Sequence, residues 1–279
     1  SLSLSKIIKR SQAPLFFLMI LVYFIKYFIM KGTITSLVIL MTSAIVFTSK
    51  AQSNTLPVSV QDSIHNAFTT CIVSGDPGTL TSIRSRLQDI HADRPDNLIL
   101  YWTAYTDYWL TVLHMQTGND REAAKAVSDG ISLLEGIRTK TSDDYALLSL
   151  MQGMSIQYRS MNAASISTDM IKNASLALGL DPDNLRANYA CGIADFFTPE
   201  EYGGGQAAEK YFLKAISLPA QKVPSKYHPS WGGQEAYEYL VRLYLKQGRT
   251  DMAGKYCSEG LEAYPTSFML NSLREQTGK

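Results

Sequence analysis

Small and large residues recur at helical spacings near the C-terminus, and that pattern restricts the possible fold more than any other feature. Tyr237, Leu240, Tyr244, Gly248, Ala253, Cys257 and Pro265 fall within one window of about 34 residues. Tyr237, Leu240 and Tyr244 share one stripe of a first helix, since residues three and four apart are neighbours on a helix surface. Gly248, in KQGRTD, supplies a turn. Ala253 and Cys257 stand four apart on a second helix that Pro265 closes. Two short antiparallel helices cross closely only where a small side chain meets large ones on the partner, so the window predicts a helical hairpin.

The same arrangement recurs upstream. In LRANYACGIADFF, Gly192 takes the small position of a first helix; in AAEKYFLKAISL, Ala208, Phe212 and Ala215 give a small–large–small second helix. DMIKNASLALGLDPDN supplies another second helix, with Ala174 and Ala177 on its packing face and Tyr145–Tyr158 as its first helix. A further hairpin is expected over Asp96–Gln116 and Asp120–Ile137, with Ala124, Ser128 and Ile131 packing. Ser59–Val73 and Thr79–Ile90 form a poorly matched leading pair, as a capping unit would, and Phe268–Arg274 a short closing helix. Pro and Gly sit between these runs, and no alternating strand pattern interrupts them.

Position by position, the Tyr237–Pro265 window resembles the tetratricopeptide (TPR) repeat, departing from it at Val241 and Gly260. The likeness is closest over Ala174–Pro265 and looser over Gln61–Arg159. It implies an all-α fold over residues 52–279, a TPR-like superhelical array of about four antiparallel helical hairpins. In such an array the first helices line a concave face that binds an extended or helical peptide. Carried onto this sequence, that face is Arg186, Tyr189, Ile193, Phe196 and Phe197 from one unit and Glu235, Glu238, Tyr239, Arg242 and Lys246 from the last. The run TPEEYGGGQAAEKYFLKA, followed by HPSWGG and a final repeat, is similar to a group of exported TPR proteins of unassigned activity from Bacteroidetes-type bacteria. That similarity implies a periplasmic or cell-surface array and no particular reaction.

The three glycines of TPEEYGGG pose a separate question, because a glycine-rich turn before a helix can cradle a phosphate. A Walker loop would end in Gly-Lys-Ser/Thr, and here Gln206-Ala207 follows. A dinucleotide fingerprint would need a preceding strand, and Phe196-Phe197 closes a helix instead. The stretch reads as a lengthened turn inside one hairpin.

Residues 1–51 carry six basic residues and no acidic ones; the rest of the chain holds 20 basic and 25 acidic, a net of −5. A mildly acidic body lacks the basic face that phosphate neutralisation requires, so nucleic acid is not an expected partner. Ile34–Thr48, after Met30-Lys31, has the basic start, apolar core and small-residue end of a secretory signal cleaved before Gln52. Met30 is the expected initiator, with residues 1–29 an upstream segment, 30–51 the signal peptide, and a periplasmic or secreted product. An uncleaved N-terminus would instead make a membrane anchor, although both apolar runs fall short of the ~20 residues that span a bilayer.

Signs of chemistry are few. His65, His91, His114 and His228 are scattered, the cysteines Cys71, Cys191 and Cys257 form no CxxC, and neither a metal nor a cofactor is expected. The cysteines read as small core residues. Asp143-Asp144 and Glu200-Glu201 sit at helix starts or turns, where carboxylates suit the exposed N–H groups. Neither a Gly-x-Ser-x-Gly elbow nor an SxxK motif occurs in the mature region. The aromatic run YWTAYTDYW reads mainly as core. The function expected is a non-catalytic scaffold or adaptor for a protein or peptide partner. The alternatives are a carbohydrate-binding protein or hydrolase using a Trp102/Trp109 shelf, and a structural envelope subunit.

Overall fold

The computed structural model describes residues 59–277; the upstream segment and the signal peptide expected over residues 1–51 lie outside the described residues. Among the described residues there are eleven α-helices and no strand. They are α1 (Val60–Ser74), α2 (Gly78–Asp93), α3 (Asn97–Gln116), α4 (Asp120–Gly136), α5 (Ser142–Ser155), α6 (Ala163–Leu180), α7 (Leu185–Phe197), α8 (Ala208–Ser217), α9 (Gly233–Lys246), α10 (Thr250–Ala263) and α11 (Phe268–Gln276). Local chemistry places their starts. Asp96 Oδ1 accepts from Leu98 N–H at 2.9 Å, and Asn184 Oδ1 accepts from Ala187 N–H at 3.0 Å. Thr141 and Asp144 form a reciprocal capping box at the start of α5.

Consecutive helices pair as α1–α2, α3–α4, α5–α6, α7–α8 and α9–α10, with α11 folded against both α9 and α10. That makes five hairpins rather than about four, because the leading pair is a full unit. Its α1 buries Val60, Ile64, Ala67 and Cys71, while α2 buries only Leu80, Leu87 and Ile90 and turns the rest of its surface to solvent. The first helices also touch in succession, α1 to α3, α3 to α5, α5 to α7, and α7 to α9. They form one continuous face of the array.

The small residues lie where the helices cross. Ala208, Phe212, Ala215, Ala253 and Cys257 are buried, and a Cβ added at Gly192 would run into the Phe212 ring. Each large apolar side chain buried this way contributes about 1.5–3 kcal/mol relative to exposure. In α4 the packing face differs by one position from the sequence expectation. Ala123, Val127 and Gly130 are buried alongside Ile131, whereas Ala124 and Ser128 are only half-buried. The cause is the crossing at Gly130, where a Cβ would collide with the Met151 methyl and press on Asp107. The three cysteines are free and buried, as core residues.

Candidate functional site

The glycine turn is the first candidate, and the structure closes it. Glu200–Tyr202 form a 3₁₀ turn, and a Cβ at Gly204 would collide with the Thr198 carbonyl oxygen. Asp195, from α7, accepts through Oδ2 from Ala207 N–H (2.9 Å) and Ala208 N–H (2.7 Å). The helix start that an anion would occupy is therefore capped by the protein's own carboxylate. The stretch is a turn.

The face of the first helices has two parts. Over its earlier part runs the connection from Leu218 to Gly232. Trp102 Nε1 donates to the Tyr227 carbonyl at 2.8 Å, and Ser230 N–H donates to Gln61 Oε1 at 2.8 Å. Trp231 is buried, stacks on Tyr105 with centroids 5.2 Å apart, and donates through Nε1 to the Tyr101 hydroxyl at 2.8 Å. Arg186 holds both ends of the crossing. Its guanidinium donates to the carbonyls of Ala220 (2.9 Å) and Trp231 (3.0 Å) and pairs with Asp143 at 2.6 Å. Gln221 gathers the loop from inside, donating to the carbonyls of Ser225, His228 and Pro229. Trp102 is thus sealed beneath the loop, and Trp109 packs edge-on against His65 and Tyr108. Trp102 is therefore core, while Trp109 is half-buried with its Nε1 enclosed and without a hydrogen-bond partner, so the two do not make one open shelf.

The later part of the face is more open. Phe196 packs edge-on against Tyr239 at 5.5 Å and Phe197 against Tyr239 at 5.9 Å. The Arg242 guanidinium lies 5.9 Å from the Tyr239 ring centre, and Lys246 Nζ 5.5 Å from that of Phe196. Of the ten residues read as a groove, Phe197 and Lys246 are exposed, and Phe196, Glu235, Glu238, Tyr239 and Arg242 are half-buried. Arg186, Tyr189 and Ile193 are buried and support the face from behind.

Beside this patch Tyr189 of α7 packs 6.1 Å from Tyr239 of α9, and Tyr108 of α3 lies within electrostatic reach of Glu235, Glu238 and Tyr239. Glu235 Oε2 accepts from Gly232 N–H at 3.0 Å. Glu238 Oε1 accepts from Gln234 Nε2 (2.9 Å) and Ser267 Oγ (3.1 Å). Burial first, and then the neighbouring Glu235 charge, push the Glu238 carboxyl up to about 7. Burial also raises Glu235 and the tyrosines 108, 189 and 239 above their ordinary values. Sequence reasoning found the α9 members but placed Tyr108 only within the aromatic run of α3. The Thr141-x-x-Asp144 box was readable in advance as a helix start.

No family model matches the chain, and no curated protein matches it. Among solved structures it is similar to TTC0263, a thermophilic TPR protein of Thermus thermophilus, at 17% identity, a TM-score of 0.50, and coverage of 77% of this chain and 98% of that one. The chain has the TPR fold. It is also similar to the HusA haemophore of Porphyromonas gingivalis, at 21% identity and a TM-score of 0.51, over 67% of this chain and 94% of HusA. At these identities the likeness is one of fold.

Proposed function

We propose that the chain is an exported, non-catalytic TPR scaffold that holds a protein or peptide partner on the open part of its first-helix face. The observation that carries this reading is the division of that face. The earlier part is occupied by the chain's own loop, and the later part leaves Phe196, Phe197, Tyr239, Arg242 and Lys246 together and accessible. Aromatic anchors beside Arg suit a partner interface, where such residues supply most of the binding energy. The signal-like segment over residues 30–51 supports a periplasmic or secreted location. The test is crosslinking and affinity purification from the native host, followed by titration of the captured partner. A Tyr239→Ala/Arg242→Ala double variant is expected to lose at least tenfold in affinity while keeping its helical circular dichroism. Unchanged affinity would overturn the assignment.

One observation favours a second reading. Flat aromatic faces flanked by two cations also suit a planar, dianionic ligand, and HusA, which shares the fold, is a haemophore. Haem titration followed in the Soret region separates the two. A saturable shift lost in the double variant supports haem; a flat response leaves the protein partner.

A further inference from the structure

The cavity of about 170 Å³ between the start of α7 and the loop has its charges already paired, Asp143 with Arg186 and Asp181 with Lys222. The enclosed polar atoms without a partner, Trp109 Nε1 and the Tyr158 hydroxyl, belong to side chains that line neither cavity. A second cavity, of about 300 Å³, differs from both. It is a groove between α5 and α6, with Glu135 and Lys140 at one end. Ser142 Oγ donates to the Ala177 carbonyl at 2.9 Å and Ser149 Oγ to that of Met170 at 2.9 Å, so the two helices run antiparallel. Tyr145 therefore stands opposite Leu176, and Gln152 opposite Asn173. Along α5 the lining spans roughly 10 Å at the usual rise per residue.

The far end of the groove holds an amide pair with one free group on each member. Gln152 is only 7% exposed. Its Oε1 accepts from Asn173 Nδ2 at 2.9 Å, which sets which end of each amide is nitrogen. Gln152 Nε2 makes no hydrogen bond among the described residues, yet it is not one of the enclosed atoms, so it opens onto the groove that Gln152 lines. Asn173 Oδ1, on the other member of the pair, is free to accept in the same way.

The charges nearby are balanced. Among the described residues Asp169, Lys172 and Glu135 enter no ion pair. Lys140 donates to the carbonyls of Glu135 (3.0 Å) and Ile137 (2.6 Å) at the end of α4. Two acids and two bases select neither an anion nor a cation. Leu148 and Leu176 give the groove apolar surface.

We infer that the groove between α5 and α6 is a binding site for a neutral sugar, one or two pyranose rings in size. Its volume stands at the lower end of the ~300–1,000 Å³ of small-molecule pockets. A hydroxyl both donates and accepts, so neighbouring sugar hydroxyls answer the Gln152 N–H and the Asn173 carbonyl oxygen together. The Asp169 carboxylate and the Lys172 ammonium add charge-assisted bonds to further hydroxyls, and the C–H face of the ring rests on the leucines. A trans peptide unit turns its N–H and C=O to opposite sides and serves only one member of the amide pair. This inference goes beyond the scaffold reading and does not rest on it, since none of the lining residues belongs to the open patch.

The full chain, isotope-labelled, is titrated with the methyl glycosides of glucose, galactose, mannose and N-acetylglucosamine, and with cellobiose and lactose, followed by NMR. Glycerol serves as the flexible polyol and N-acetylglycine N-methylamide as the peptide analogue. At least one sugar is expected to give saturable shifts at the Gln152 and Asn173 side-chain amides, and to bind at least tenfold more tightly than either control. Gln152→Glu keeps an oxygen to accept from Asn173 but replaces the donor with an acceptor, and is expected to lose at least tenfold in sugar binding. An Asp169→Ala/Lys172→Ala variant, changed only at exposed positions of α6, is expected to lose at least fivefold with its circular dichroism intact. A panel without saturable shifts, or control binding as tight as that of the sugars, would overturn the site. So would undiminished sugar binding in a folded Gln152→Glu chain, or in the rim variant should Gln152→Glu fail to fold.

Discussion

Tyr101 and Tyr189 are both tyrosines on first helices, both buried, and both on the same continuous face, yet they stand in opposite circumstances. Tyr101 accepts from Trp231 Nε1, its neighbour Tyr105 bonds His65 Nε2 at 2.9 Å, and the indole of Trp102 reaches a loop carbonyl. These polar atoms answer one another. Around Tyr189 the contacts are between rings, Tyr239 at 6.1 Å and Phe212 at 6.3 Å between centres, and Glu235 and Glu238 nearby lie within electrostatic reach of Arg186 and Arg242 without a direct ion pair. The same residue type ties the loop down in one place and backs the open patch in the other. A hydrogen bond to the loop's Trp231, rather than aromatic content, separates the two tyrosines; the framework side still encloses one indole N–H, Trp109 Nε1, without a partner.

The strongest challenge to that distinction is Trp231→Ala. If the earlier part of the face is framework, removing the buried indole should destabilise the chain by about 3–5 kcal/mol in urea unfolding. The open patch, supported from elsewhere, should retain its partner affinity within twofold. A loss below ~1 kcal/mol would mean that the loop merely rests on the face.

A paired substitution refines the comparison. Tyr101→Phe leaves the Trp231 N–H buried without an acceptor and should cost about 1–3 kcal/mol. Tyr189→Phe removes a hydroxyl that makes no hydrogen bond to the protein among the described residues and should change stability by less than ~0.5 kcal/mol. Equal losses at the two sites, read from urea midpoints, would erase the contrast.

The smallest effect concerns pH. Burial raises the folded Glu238 carboxyl from 4.5 to about 7, so between those values the folded chain holds a proton that the unfolded chain has released. This carboxyl therefore favours folding below about pH 4.5, and the benefit is lost as pH rises through 7. Glu238→Gln removes the dependence. Its stability relative to the parent should rise from near zero at pH 4 to about 1 kcal/mol at pH 8, a figure discounted for partial exposure. A variant that tracks the parent across this range would show that Glu238 is better solvated than its surroundings imply.

Much of this was readable along the chain. The small–large–small spacing of Ala208, Phe212 and Ala215, and of Tyr244 with Ala253, located hairpins because helix crossing geometry is local and periodic. The Gly203–Gly205 turn was readable for the same reason. The packing face of α4 was misread by one position because Gly130, unlike Ala124, is selected by contact with Met151, which lies on another hairpin. Arg186 was placed on the partner face by its helix position, but it serves as an anchor for the Leu218–Gly232 crossing. Tyr108 carried no signal beyond that of its aromatic neighbours.

Helix spans, hairpin order and the all-α class follow from residue patterns alone, since each depends on neighbours within about one repeat. Whether the first-helix face is open or shut depends on contacts such as Gln61 with Ser230 and Trp102 with Tyr227, which join residues more than a hundred positions apart. Periodicity holds no information about such pairs. The approach of Tyr189 on α7 to Tyr239 on α9, 6.1 Å between ring centres, likewise depends on how two hairpins pack and not on spacing along either.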